Sequence, residues 1–110
     1  MAKERRPRFQ SARLPAGLSD ASIRLRRYTL TVLPGGHLEA MLFADDEAAF
    51  LARLLRQVSL LSLFPTEFEI NTRQGRIEDR FVFCAIGGRA PGRPVAAALD
   101  QMFARTIQPA

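Results

Sequence analysis

Hydrophobic and polar residues alternate along four segments of the chain, and alternation of this kind predicts β-strands. Two of these segments span residues 27–33 and 37–43, and the other two span residues 67–72 and 76–86. Glycine lies between the two members of each pair, and proline accompanies it in the first pair. Since these residues favour tight turns, each pair is predicted to form a β-hairpin.

Helical periodicity replaces the alternation in two other segments. After the first hairpin, the apolar positions recur every three or four residues, which predicts an amphipathic helix that ends before Pro65. Acidic residues in 44–47 would cap this helix and complement its dipole, so we expect it to begin there. The pattern over residues 95–107 predicts a second helix at the end of the domain. The two apolar stripes are Phe50, Leu51, Leu54, Leu55, Val58, Leu60 and Leu61, and then Leu99, Met102, Phe103 and Ile107.

The element order is therefore ββαββα. It predicts an α+β domain with a four-stranded antiparallel sheet and two helices on one face. The topology expected is a permuted ferredoxin-like one, in which residues 28–33 occupy the place of the last strand beside the strand before the first helix.

Positive charge is concentrated at the N-terminus. The first 27 residues contain eight basic and two acidic side chains, whereas the remainder is nearly neutral. Because this stretch also lacks sustained periodicity, we predict a basic, disordered tail over residues 1–26 and a folded domain over residues 27–110. Deletion through Leu25 should then leave the fold intact, and deletion through Leu33 should destroy it. Such a tail either remains solvated or holds nucleic acid or an acidic partner.

Composition limits the classes of function. A chain of 110 residues is one domain, which excludes multi-domain enzymes. It has no apolar run of about 20 residues and no signal-peptide pattern, so we expect a cytoplasmic protein without a membrane partner. His37 and Cys84 are the only His and Cys residues. We therefore expect no catalytic site, no metal site and no cofactor.

Residues 38–86 resemble an ACT domain, a small regulatory ligand-binding module of amino-acid metabolism. The resemblance depends on LEAMLFADD at residues 38–46, FLARLL at residues 50–55 and INTRQGRIEDRFVF at residues 70–83. These segments are similar to the family's first strand and acidic loop, its following helix and its second hairpin. The family's last strand is absent after the second helix.

The resemblance implies a non-catalytic module that binds an amino acid and regulates a separate enzyme. It implies a ligand site at Ala44, Asp45, Asp46, Glu47 and Ala48, where the amides at a helix start meet a carboxylate and a second subunit completes the pocket. Many ACT domains have proline and glycine where this chain has Ala48-Ala49. Each added Cβ should narrow the pocket, so we expect weak binding or none. The module would then act chiefly as a protein-interaction and dimerisation unit. The acidic residues could instead bind a hard cation, although capping is the commoner role.

The longest predicted strand has apolar residues on both faces at one end. Phe81 and Phe83 share one face with Asp79, and Val82 and Cys84 lie on the other. Since helices on one side cover only one face, we assign Phe81 and Phe83 to a subunit interface and expect a homodimer or higher even oligomer. Asp79 could lie near a ligand or an interface, or it could pair with Arg73 or Arg76 across the hairpin, and the pairing is the favoured interpretation.

Nucleic-acid binding is the alternative function. RNA-recognition motifs share the βαββα core and stack bases on strand aromatics, for which Phe81 and Phe83 are the candidates, and the basic arm would add affinity. However, Glu78 and Asp79 precede these aromatics and would repel phosphate. The sequence therefore favours the regulatory class.

Overall fold

The structure, a computed structural model, describes residues 23–107. These residues form five strands, two α-helices and one short 3-10 helix, Ile86–Gly88. The strands form one antiparallel sheet, so the chain has an α+β fold. The elements, in chain order, are β1 (Arg27–Val32), β2 (Leu38–Asp45), α1 (Phe50–Ser59), β3 (Phe64–Glu69), β4 (Thr72–Arg73), β5 (Arg76–Cys84) and α2 (Arg93–Arg105).

The sheet order is β1-β2-β5-β3, and β4 pairs with the start of β5. The predicted antiparallel sheet is confirmed, but it has five strands where four were expected. The additional strand arises because Ile70 and Asn71 separate β3 from β4. Asn71 still holds this bend against β5, since its carbonyl accepts a hydrogen bond from the N–H of Glu78 at 2.9 Å.

The hydrophobic core lies between one face of the sheet and both helices. Alternate residues of β2 and β5 point into it, as the period of a strand requires. Leu54 of α1 and Leu99 of α2 are fully buried in the same cluster, so both helices pack on the same face. Other members of the cluster include Leu38, Ala40, Leu42, Ala44, Ile77, Phe81, Phe83, Val58 and Phe103.

The segment before β1 is part of this core. Ile23 and Leu25 are buried, and the N–H of Leu25 donates to the carbonyl of Thr106 at 2.9 Å. The boundary predicted at residue 26 therefore lies too far along the chain, because residues 23–26 belong to the folded domain. The rest of the predicted tail, residues 1–22, lies outside the described residues.

The predicted start of the first helix is wrong. β2 continues to Asp45, and α1 begins at Phe50 after Ala49, which adopts left-handed geometry with φ 63°. The first turn contains no acidic residue and has no side-chain cap. Asp45 is unavailable as a cap because β5 pairs with it opposite Arg76, and Arg26 donates to its carboxylate at 2.8 Å.

α1 ends before Pro65, as predicted, but it is shorter than the predicted apolar stripe. The helix stops at Ser59, so Leu60 lies beyond it and is 70% exposed instead of packing in the core. Phe64 and Pro65 then open β3, an edge strand. Proline is tolerated at a strand edge because its missing N–H leaves no ladder bond unmade there. Neither α1 nor α2 has the length and apolar character that crossing a bilayer requires.

Candidate functional site

A cavity of about 240 Å³ lies between the start of α1 and the β4–β5 hairpin. On one side are the β2–α1 loop and the first turn of the helix, and on the other are Thr72, Ile77 and Asp79. The N–H of Asp46 donates to the carbonyl of Gly75 at 2.8 Å, which fastens the loop to the hairpin. A cavity of this size is smaller than most ligand pockets, which usually measure roughly 300–1,000 Å³, so it suits only a small molecule.

Asp79 is a buried carboxylate in the wall of this cavity. Its side chain is 2% exposed, and Oδ1 accepts a hydrogen bond from the N–H of Asn71 at 2.9 Å. Burial raises the pKa of Asp79 above its usual value, and the bond from Asn71 opposes that shift. A cation that reaches this carboxyl group would therefore stabilise its charged form.

The predicted pairing of Asp79 with Arg73 or Arg76 is wrong. Asp79 lies on the helix-covered face with Ile77, whereas Arg76 belongs to the opposite face of the strand. The guanidinium of Arg76 instead lies 3.7 Å from the carboxylate of Asp45. Strand alternation therefore separates Asp79 from the cations next to it in sequence.

Glu47 supplies a second carboxylate to the cavity. Its Oε1 atom is buried and has no hydrogen-bond partner in the part of the chain that the structure describes. A buried acceptor without a partner costs roughly 1–3 kcal/mol, and more when the group is charged. This oxygen is thus suited to accept a hydrogen bond from a ligand.

The first turn of α1 supplies donors to the same cavity. The first bond within the helix runs from the N–H of Arg53 to the carbonyl of Ala49 at 2.9 Å. The N–H groups of Leu51 and Ala52 precede this bond, so the helix does not use them, and both residues line the cavity. The cavity therefore combines carboxylate acceptors with amide donors at the positive end of the helix dipole.

The five predicted ligand residues do not lie together. Asp46 and Glu47 line the cavity, while Ala48 is exposed and lies outside its lining. Ala44 is 1% exposed on the core face of β2. Asp45 is held by Arg26, whose hydrogen bond keeps the pKa of that carboxyl below its usual value. Leu51 and Ala52 are absent from the predicted site, and Asp79 is in the cavity wall, the alternative to the favoured hairpin pairing. The signal for Asp79 is an acid on an otherwise apolar strand face.

Phe81 and Phe83 are not interface residues. They are 1% and 0% exposed beneath the helices, and their rings stack with centroids 5.6 Å apart. Neither side chain can reach a second subunit or stack on a base, which removes the aromatics on which the nucleic-acid alternative depended.

At the centre of the other sheet face, Arg80 donates to Glu39 at 2.7 Å and to Glu67 at 3.4 Å.

A wider depression of about 500 Å³ at the start of α2 has apolar walls, and Arg89 is its one charged lining residue. Within residues 23–107, no three His, Cys, Asp or Glu side chains are placed to hold a metal ion. His37 Nε2 lies 2.9 Å from the carbonyl of Gly88. No protein-family model, curated protein or solved structure matches this chain.

Proposed function

We propose that this chain is a non-catalytic regulatory module that binds a small amino acid in the cavity between Glu47 and Asp79 and acts on a separate enzyme. The observation that carries the proposal is the buried Oε1 of Glu47, which has no partner among residues 23–107 and shares a small cavity with the buried carboxylate of Asp79. The resemblance of residues 38–86 to an ACT domain points in the same direction.

The lining of the cavity offers partners for both charged groups of an α-amino acid. An ammonium group has three donors, which Glu47 Oε1 and the carboxylate of Asp79 can accept. The carboxylate of the ligand accepts from the N–H groups of Leu51 and Ala52, where the helix dipole favours negative charge. A simple amine or a simple carboxylic acid would satisfy only one of these two sets of partners.

The size and walls of the cavity favour a small side chain. The apolar lining includes Leu51 and Ile77, so a short aliphatic side chain fits better than a charged one. Ala49 also lines the cavity, whereas Ala48 does not, so only one of the two alanines can narrow the pocket. We expect a dissociation constant weaker than the low micromolar range.

The fold proposal that accompanies this function is a permuted ferredoxin-like domain. Its support is the strand order, in which β5 lies between β2 and β3, the two strands that α1 connects. β1 lies at the other side of β2, where the fold requires its last strand.

Calorimetric titration with the common amino acids tests the function. Glu47→Gln and Asp79→Asn keep the shape of each side chain and remove its charge, so each should weaken binding about tenfold or more. Glu69→Gln is the matched control, because Glu69 is an exposed carboxylate on β3 outside the cavity lining, and its affinity should equal that of the unchanged protein. Absence of binding at millimolar concentrations, or equal affinity in Glu47→Gln, contradicts the proposal.

A further inference from the structure

The outer edge of β1 is unpaired within the described part of the chain. The N–H of Leu33 donates to the carbonyl of His37 at 2.8 Å, which sets the alternation of the β1–β2 ladder. The backbone N–H and C=O groups of the odd-numbered residues of β1 therefore form hydrogen bonds with β2. The N–H and C=O groups of Tyr28, Leu30 and Val32 point to the outside.

The two edges of the sheet differ in how they resist pairing. β3, at the far edge, contains Pro65, a register shift between Pro65 and Glu67, and the charged side chain of Glu69. β1 has an unbroken register against β2 and no charge or proline from Tyr28 to Val32. Proline, bulges and charge are the usual protections of an exposed edge, so β1 is the edge open to a partner strand.

We propose that β1 pairs with β1 of a second copy of this chain, antiparallel about a two-fold axis at Leu30. In this register Leu30 lies opposite Leu30 of the partner subunit, and Tyr28 lies opposite Val32 of the partner subunit. All the outward N–H and C=O groups of these residues are then satisfied, because each opposed pair exchanges both of its hydrogen bonds.

Neighbouring registers fail for identifiable reasons. A shift by two residues in one direction places Tyr28 opposite Pro34 of the partner subunit, and proline has no N–H to donate. The opposite shift places Val32 against Arg26 of the partner subunit. The N–H of Arg26 is already used, since it donates to the carbonyl of Phe43 in its own chain at 2.7 Å. The register centred on Leu30 is therefore the one that the backbone selects.

The side chains also match in this register. On the helix-covered face, Leu30 meets its own copy and Tyr28 meets Val32, whose side chain is 65% exposed in the single chain. On the other face, Thr29 lies opposite Thr31 of the partner subunit, a favourable cross-strand pair. No two like charges oppose each other. This self-complementarity favours a second copy over an unrelated extended peptide, which could match the backbone only.

Cysteine cross-linking tests the register. Thr29 and the partner's Thr31 form a non-hydrogen-bonded pair, in which Cα atoms lie about 4.5 Å apart, within the range that a disulfide spans. Thr29→Cys and Thr31→Cys proteins, mixed and treated with oxidised glutathione, should give a disulfide-linked dimer at least about fivefold more abundant than either variant alone. The unchanged protein controls for Cys84, which is buried. Equal cross-linking in mixed and unmixed samples overturns the register.

A proline substitution tests the edge itself. Val32→Pro removes an outward N–H and leaves the β1–β2 ladder intact, so the dimer dissociation constant measured by sedimentation should rise about tenfold or more. Val32→Thr keeps the N–H and should dimerise normally, and circular dichroism checks that both variants fold. An unchanged chain that sediments as a 12.3 kDa monomer at high micromolar concentration overturns the proposal, as does an unaltered constant in Val32→Pro.

Hydrogen exchange separates a second copy from other occupants of the edge. The amides of Tyr28, Leu30 and Val32 should become protected as protein concentration rises. Protection that is independent of concentration means that another part of the same chain covers β1, and it overturns the proposal. Because β1 contributes no residue to the lining of the amino-acid cavity, dimerisation and ligand binding can fail separately.

Discussion

Leu25 and Thr106 join the two ends of the described chain. The N–H of Leu25, just before β1, donates to the carbonyl of Thr106, just after α2, at 2.9 Å. The side chain of Leu25 is fully buried in the core, and Ile23 lies with it. The segment before the first strand is thus part of the fold, although its sequence has the basic character of the tail.

Replacement of Leu25 tests this role. Leu25→Ala should lower the free energy of unfolding by about 2–5 kcal/mol, because it leaves a cavity among fully buried neighbours. Arg24→Ala is the control, since Arg24 is exposed and should change stability by less than about 0.5 kcal/mol. Urea denaturation measures both. For the same reason, deletion through Leu25 should now destabilise the domain, and unchanged stability of Leu25→Ala would show that this segment is dispensable.

Ala49 should gain stability when its side chain is removed. Its φ of 63° places it in the left-handed region, which costs an L-residue with a Cβ roughly 1–2 kcal/mol. Ala49→Gly should therefore raise the free energy of unfolding by about 0.5–1 kcal/mol. Ala52→Gly makes the same chemical change inside α1 and should lower it by about 1 kcal/mol. Thermal melts that show the same sign for both variants would contradict the assignment of strain to Ala49.

Asp79 should make the domain less stable as pH rises. Its pKa in the folded protein is above its value of about 3.9 in the unfolded chain, so the folded state holds the proton more tightly. The free energy of unfolding therefore falls as pH rises from about 4 through the raised pKa.

Asp79→Asn should remove this pH dependence and raise stability at pH 7 by on the order of 1 kcal/mol, because a neutral amide can still accept the bond from Asn71. Glu78→Gln changes an exposed carboxylate at the next position and should leave the pH profile as it is. Urea melts between pH 4 and pH 8 make the comparison. If Asp79→Asn gains stability and loses the ligand, the carboxylate serves binding and not stability. If its stability has the same pH profile as that of the unchanged protein, burial does not raise the pKa of Asp79.

Gly36 should tolerate a side chain less well than Gly35. Both have φ of +94°, so alanine is strained at either position, but a Cβ at Gly36 would lie 2.6 Å from the Cβ of Ala90, whereas one at Gly35 meets nothing within 4 Å. Gly36→Ala should therefore lower the melting temperature more than Gly35→Ala. Adding Ala90→Gly to Gly36→Ala removes the clash and should recover part of the loss. Equal losses at the two glycines would show that the strand hairpin and the loop before α2 do not meet as closely as described.

Local periodicity in the sequence is sufficient to locate most elements of this protein. Residues alternate in β1, β2 and β5, and apolar residues recur every three or four positions in α1 and α2. Both patterns involve only residues close in sequence, and the geometry of a strand or a helix places residues at these spacings on one face. The α+β class and the antiparallel pairing follow from those elements and their short turns. The Gly-Gly and Gln-Gly turns follow for the same reason, since left-handed backbone is readily adopted by glycine.

Tertiary structure decided which face of the sheet the helices cover, and therefore where the candidate binding site lies. The residues at the end of β5 are apolar on both sides, so the sequence could not show that both helices cover Phe81 and Phe83, and Asp79 with them. Asp45 could equally cap a helix or extend a strand, and its pairing with Arg26 and β5 settled that choice. The burial of Leu25 depends on α2, far along the chain. In each case the deciding contact joins residues distant in sequence, and a local pattern contains no information about such a contact.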